Sequence, residues 1–304
     1  MRLNGIAIDD GFAEAFPMKA TRLVITAHDL AWALHAAVSA TGMATSVIAC
    51  GCEAGIEREL APQDTPDGRP GVAILLFAVS GKELAKQVER RVGQCVMTCP
   101  TTAVFAGLAE GEPVPLGRNL RFFGDGWQLS KLIGGVRYWR VPVMDGEFVA
   151  QETTPVTKAV GGGNLLLLAR DTEAALAGAT AAVHAMRAVP GVILPFPGGV
   201  VRSGSKVGSK YAGVVASTND AFCPSLRHLS PRSELGEEDR SVLEIVIDGL
   251  REQDVAAAMR AGIAAVVARG AQAGVTRISA GNYGGKLGPF HFRLHELVPP
   301  GELP

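Results

Sequence analysis

Short apolar runs alternate with stretches of helical period four times along the chain. Arg22-Leu-Val-Ile-Thr-Ala27 reads as a strand, Asp29 as a helix cap, Leu30 to Ala40 as a helix, and Thr45 to Cys50 as a second strand. Val72 to Val79 leads into Ser80-Gly-Lys-Glu83, the spacing of a capping box. The helix it opens runs to about Val92, and Gln94 to Thr98 reads as the returning strand. In the second half, Asn164 to Ala169, a cap at Asp171, an Ala-rich helix to Ala188 and Gly191 to Leu194 repeat the order. Val242 to Asp248, a helix from about Glu252 to Ala268, and Val275 to Ala280 repeat it again. In that last helix Val255, Met259, Ile263 and Val266/Val267 return to one face.

Two strand–helix–strand units per half predict an α+β protein of two similar ferredoxin-like α/β sandwich lobes, each a mainly antiparallel sheet covered by helices. A doubly wound dinucleotide fold fits less well, because the glycine clusters follow the second strand of a unit instead of joining a first strand to its helix. The pattern breaks between Gln151 and Gly163, which places the lobe boundary at 155/156: residues 1–155 form the N-terminal lobe and 156–304 the C-terminal lobe. Asn119 to Phe148 carries a hairpin signal that periodicity assigns no further.

The bulk numbers exclude several classes. A length of 304 residues, 47% of them hydrophobic and 19% charged, supports a sizeable core. The 29 basic against 30 acidic residues argue neither for nucleic acid nor for an anionic membrane. The longest apolar runs fall far short of the roughly 20 residues a span requires, and no secretory h-region follows Met1, so a soluble cytoplasmic protein is expected. The five cysteines are expected as reduced thiols. Neither Cys50-x-Cys52 nor Cys95-x3-Cys99 has the spacing of a zinc knuckle, and His291-x3-His295 lies in a strand-like run. No metal site is expected.

Five loops rich in glycine and polar residues follow these units: Gly51–Gly55, Cys99–Thr102, Pro195–Gly199, Ser203–Tyr211 and Gly281–Lys286. Glycine lets a backbone approach a ligand closely, so five such loops together suggest a cleft. None satisfies G-x4-G-K-[ST], so no nucleotide is implied. Lys206 and Lys210 suit a ligand's carboxylate or phosphate and equally suit a solvated surface. Glu244 interrupts the apolar strand Val242–Ile247. Alternation leaves it either on an open, solvated sheet face or in a desolvated site with a raised pKa. Glu14, between Phe12 and Phe16, poses the same choice. There is no nucleophile elbow and no Cys–His pairing, so an acyl-enzyme has no visible nucleophile.

Ten runs, taken in order, carry a resemblance. They are Phe12-Ala-Glu-Ala-Phe-Pro17, Glu53-Ala-Gly-Ile-Glu57, Thr65-Pro-Asp-Gly-Arg-Pro-Gly71, Gly93-Gln-Cys-Val-Met-Thr-Cys-Pro-Thr-Thr102 and Phe122-Phe-Gly-Asp-Gly126, followed by Pro195-Phe-Pro-Gly-Gly199, Ser203-Gly-Ser-Lys-Val-Gly-Ser209, Glu244-Ile-Val-Ile-Asp-Gly249, Ala280-Gly-Asn-Tyr-Gly-Gly285 and Leu294-His-Glu296. Together they resemble the formylmethanofuran:tetrahydromethanopterin formyltransferase family across almost the whole chain.

The resemblance implies an acyltransferase that moves a formyl group between N5 of tetrahydromethanopterin, or its dephospho form, and the amine of methanofuran. Both are carrier substrates, and no prosthetic group or metal is implied. It also implies a homotetramer and, since the near-neutral composition is similar to that of bacterial methylotroph members, a complex with a formylmethanofuran hydrolase in formaldehyde oxidation. Glu244 would be the key carboxylate. Gln94, Thr101 and Thr102 would be formyl or oxyanion contacts, and Phe196, Pro197, Gly198, Ser205, Lys206, Asn282 and Tyr283 would be substrate walls. The rival reading is a non-catalytic scaffold that holds methanofuran for a partner hydrolase.

Overall fold

The computed structural model describes residues 1–299 and divides into two compact units. One comprises Met18–Ala159, and the other Met1–Pro17 together with the chain from Val160. The expected boundary at 155/156 therefore lies four residues from the observed one, but the first seventeen residues belong with the C-terminal half. The reason is strand pairing: Ala7 and Ile8 pair in parallel with Arg277 and Ile278, and Phe12–Ala15 pair antiparallel with Phe290–Arg293.

Each unit has the ferredoxin-like order. In Met18–Ala159 the sheet runs Glu53–Leu60, Gly71–Ala78, the end of Phe12–Thr26, then Ala103–Ala106. Counted along the chain, that is second, third, first, fourth. In the other unit Val192–Ile193, Ser241–Gly249, the end of Thr153–Ala169 and Val275–Ser279 repeat the same order. The helices Leu30–Thr41 and Gly81–Arg91 belong to the first unit, Thr172–Arg187 and Glu252–Arg269 to the second. Three of the four start where a cap was expected: Asp29 accepts from Trp32 N–H, Ser80 from Glu83 N–H, and Asp171 from Ala174 N–H. Each unit has its own core, with Leu23, Ile74, Leu76, Leu84 and Val88 in one and Leu165, Leu167, Ile245, Ile247, Met259 and Ile263 in the other. Among the described residues no helix is long and apolar enough to cross a membrane.

Two expected strands are something else. Thr45–Cys50 contains a single helical turn, Val47–Cys50, capped by Ser46, and the strand follows at Glu53–Leu60. Gln94–Thr98 does not return as a strand. The helix widens there, with Met97 N–H reaching back to Val92 C=O, and the strand is Ala103–Ala106. The unassigned stretch after Asn119 contains the hairpin Leu129–Ile133/Val136–Val143, turning at Gly134 and Gly135, both at positive φ.

Candidate active site

Strand alternation in Ser241–Gly249 aims Ile245 and Ile247 into the helix-covered core and Glu244 to the opposite face, opposite Leu166 on the neighbouring strand. That face is not open. The long excursion between Val192–Ile193 and Ser241–Gly249 folds back across it. Val201 exchanges backbone hydrogen bonds with Glu244, at 2.7 and 3.0 Å, and Phe222 packs on Leu166 and Leu168. The carboxylate of Glu244 is thereby almost sealed, at 3% exposure. Burial pushes its pKa up to about 7, only partly opposed by Ser205, whose hydroxyl donates to it at 3.1 Å and whose backbone N–H also faces it.

Ser205 opens onto a cleft of this unit. The cleft has a volume of about 700 Å³, with Lys206, Asp220, Phe222, Asn282, Tyr283 and Lys286 in its walls. Glu244 itself lines a narrower recess with Arg202, Ser203, Gly204 and Cys223. This recess shares Asn219 and Phe222 with the cleft. On the cleft floor Lys206 Nζ meets Asp220 at 2.8 Å and Arg232 meets it at 2.7 Å, while Ser230 donates its hydroxyl. The Lys206 bond, then those from Ser230 and Arg232, holds the Asp220 carboxyl well below the usual range. Lys206 is thus a member of an ion cluster.

Glu14, the other undecided carboxylate, is completely buried. It accepts four backbone N–H groups: Tyr283 at 2.7 Å and Gly285 at 3.0 Å on one oxygen, Leu287 at 2.5 Å and Gly288 at 2.7 Å on the other. Burial raises its pKa, but the bonds from Gly288, Tyr283, Leu287 and Gly285 outweigh that, and the net shift is downward. The signal in the sequence was a lone carboxylate between two aromatics, with nothing to show where its partners would come from.

The remaining sites expected from the sequence fall as follows. Ser205, Lys206, Asn282 and Tyr283 come together in the cleft, with Glu244 behind Ser205. Phe196, Pro197 and Gly198 form a tight turn that contributes nothing to the cleft wall among the described residues. Gln94, Thr101 and Thr102 lie in the other unit. Gln94 is exposed on the widened turn, its carbonyl accepting from the Thr98 hydroxyl. Thr101 stands at φ +65°, a costly conformation for a non-glycine residue. It is held there by its N–H to Asp145 at 2.7 Å, its hydroxyl accepting from His28 N–H, and Arg69 on its carbonyl. Thr102 is buried, and its hydroxyl donates within the turn to Val96 and Cys99 carbonyls. All five cysteines are free thiols, and no cluster of His, Cys, Asp and Glu fit to hold a metal ion occurs among the described residues.

The chain thus sets a sealed carboxylate, raised to about 7, behind a hydroxyl at the wall of a polar cleft, on an α+β frame of two ferredoxin-like units. The family model described as formylmethanofuran–tetrahydromethanopterin formyltransferase matches residues 1–143, and that described as the proximal lobe of the same enzyme matches 146–297. The chain belongs to the formylmethanofuran–tetrahydromethanopterin formyltransferase family. It is similar to the formylmethanofuran–tetrahydromethanopterin formyltransferase of Methylococcus capsulatus, 66% identical over 98% of this chain and all of that one. The enzyme of the same name from Methylobacillus flagellatus is 62% identical, again over 98% and all. Among solved structures, it is similar to a chain in the formyltransferase/hydrolase complex of Methylorubrum extorquens, determined with methylofuran. The TM-score is 0.96 at 50% identity, covering 100% of this chain and 99% of that one.

Proposed function

We propose that this chain transfers a formyl group between N5 of tetrahydromethanopterin, or its dephospho form, and the amine of methanofuran, both bound at once. The single observation that carries the chemistry is Glu244: sealed, near pH 7 in its titration, and one hydroxyl from the cleft. The receiving amine attacks the formyl carbon. The C–N bond forms as the C=O π pair moves to oxygen, and the tetrahedral oxyanion collapses by expelling the other nitrogen, which leaves as an amine once protonated. Holding two carriers in one site supplies proximity, and a carboxyl that exists in both protonation states at neutral pH is matched to shuttling the amine proton.

In this reading Ser205, Lys206, Asn282 and Tyr283 form the cleft walls, Phe196, Pro197 and Gly198 an outer substrate contact, and Gln94, Thr101 and Thr102 are formyl or oxyanion contacts. No prosthetic group takes part. The chain works in the cytoplasm as a homotetramer bound to a formylmethanofuran hydrolase, in the oxidation of formaldehyde by a methylotroph. The similarity to a chain of the formyltransferase/hydrolase complex supports that association.

The test is spectrophotometric transfer by the isolated chain, using formyl-tetrahydromethanopterin and methanofuran. Glu244→Gln should lower turnover by about 10²- to 10⁴-fold with the protein still folded. Near-full turnover would remove Glu244 from the reaction. Tight methanofuran binding without turnover in the wild type would instead mark a docking scaffold.

A further inference from the structure

The cleft wall from Gly281 to Pro289 is neither helix nor strand, yet it supplies Gly281, Asn282, Tyr283, Lys286 and Leu287 to the cleft. A segment without a ladder of its own must find partners for its backbone donors elsewhere. Two buried side chains provide most of them. Asn164 is 2% exposed; it accepts from Gly281 N–H at 2.6 Å and donates to Gly281 C=O at 3.1 Å. Glu14, 0% exposed, takes four more, those of Tyr283, Gly285, Leu287 and Gly288, two on each oxygen, while Gly284 N–H turns to Asn282 Oδ1 within the segment. Ring contacts brace the same place, Phe16 on Tyr283 at 5.9 Å and Phe12 on His291 at 4.7 Å. A carboxylate is the side chain suited to this task, because it offers two acceptor oxygens and no proton, and charge-assisted bonds are the stronger kind.

We propose that Glu14 is a positioning residue for the transfer reaction: its carboxylate holds the backbone of Tyr283–Gly288 in the shape that presents Asn282, Tyr283 and Leu287 to a carrier substrate. Glu14 touches no substrate in this scheme. Its bonds run to backbone N–H groups that point inward, while the side chains between them point into the cleft. The proposal rests on the cleft being the carriers' site.

Glu14→Gln tests it. An amide keeps size and shape but puts an NH2 where one oxygen met two N–H donors, so at least two of the four bonds are lost and the loop must shift. In the transfer assay with formyl-tetrahydromethanopterin and methanofuran, KM for at least one carrier should rise about tenfold or more, with kcat changed less than about threefold. That split marks lost binding rather than lost chemistry. Glu14→Asp keeps both acceptors on a shorter stem and should recover part of the KM. Hydrogen exchange supplies a readout independent of turnover: the amides of Tyr283, Gly285, Leu287 and Gly288 should be slow in the wild type and fast in Glu14→Gln. Unchanged KM values in a folded Glu14→Gln enzyme, even one with lowered melting temperature, would reduce Glu14 to a structural residue. If neither variant folds, the wild-type exchange decides, and rapid exchange of those four amides overturns the proposal. A wild-type chain without transfer activity would count against the function itself, and leaves the exchange result to judge the role of Glu14 in shaping the loop.

Discussion

Replacing Glu244 with glutamine should change how the stability of this protein depends on pH, with a size set by burial. In the folded state Glu244 titrates at about 7 against an ordinary value of 4.5. The folded chain therefore holds this proton more tightly than the unfolded chain, and unfolding at intermediate pH releases it. Stability from this group is fully present below pH 4.5 and is lost as pH rises through 7, the opposite of the usual salt-bridged carboxylate. At about 1.4 kcal/mol per pH unit, the interval from 4.5 to about 7 corresponds to about 3 kcal/mol. Glutamine is neutral throughout and carries no such dependence. The difference in unfolding free energy, variant minus wild type, should thus climb by about 3 kcal/mol between pH 4.5 and pH 8, measured by urea titrations at a series of pH values. A second measurement avoids assuming a two-state transition: unfolding in weakly buffered denaturant near pH 5.7 should release close to one more proton from the wild type than from Glu244→Gln. A difference that stays flat within about 0.5 kcal/mol, with equal proton release, would refute the claim that Glu244 is desolvated by the 194–240 excursion.

Arg22 grips the buried carboxylate of Glu57 with two bonds of 2.6 Å. Arg22→Ala should lower stability by about 3–5 kcal/mol in chemical denaturation, and lysine should rescue little because one ammonium cannot reproduce the fork. At Gly288 an added Cβ would sit 2.0 Å from the Ala15 carbonyl oxygen, a backbone atom that cannot step aside. Gly288→Ala should therefore displace the Tyr283–Gly288 wall, weakening carrier binding in the transfer assay while leaving the Glu244 titration in place.

The strands of the interior were legible because they are apolar on both faces. Gly71–Ala78 is buried at every position and reads as an unbroken hydrophobic run, and the caps at Asp29, Ser80 and Asp171 are local chemistry that a few residues determine. The edge strand Glu53–Leu60 was missed for the converse reason. It carries Glu57, Arg58 and Glu59, and the Glu57 charge is matched by Arg22, a partner 35 residues away. Gln94–Thr98 looked like a strand because a widened helical turn also presents apolar residues in a short cluster.

Of the candidate site, the frame, the family and the residue types were legible in local stretches of the chain. Four strand–helix–strand units, ten runs of family motifs and an out-of-place Glu244 are all local properties of the chain. Whether Glu244 and Glu14 were solvated or sealed was decided only in the tertiary structure. Alternation states which face of a sheet a side chain leaves from, never what covers that face. The cover for Glu244 comes from Val201, Ser205 and Phe222, some twenty to forty residues earlier, and the four donors for Glu14 come from the far end of the chain, 269 to 274 residues later. A carboxylate's pKa depends on the solvent it loses and the donors it gains, and both are supplied across those distances when the chain folds.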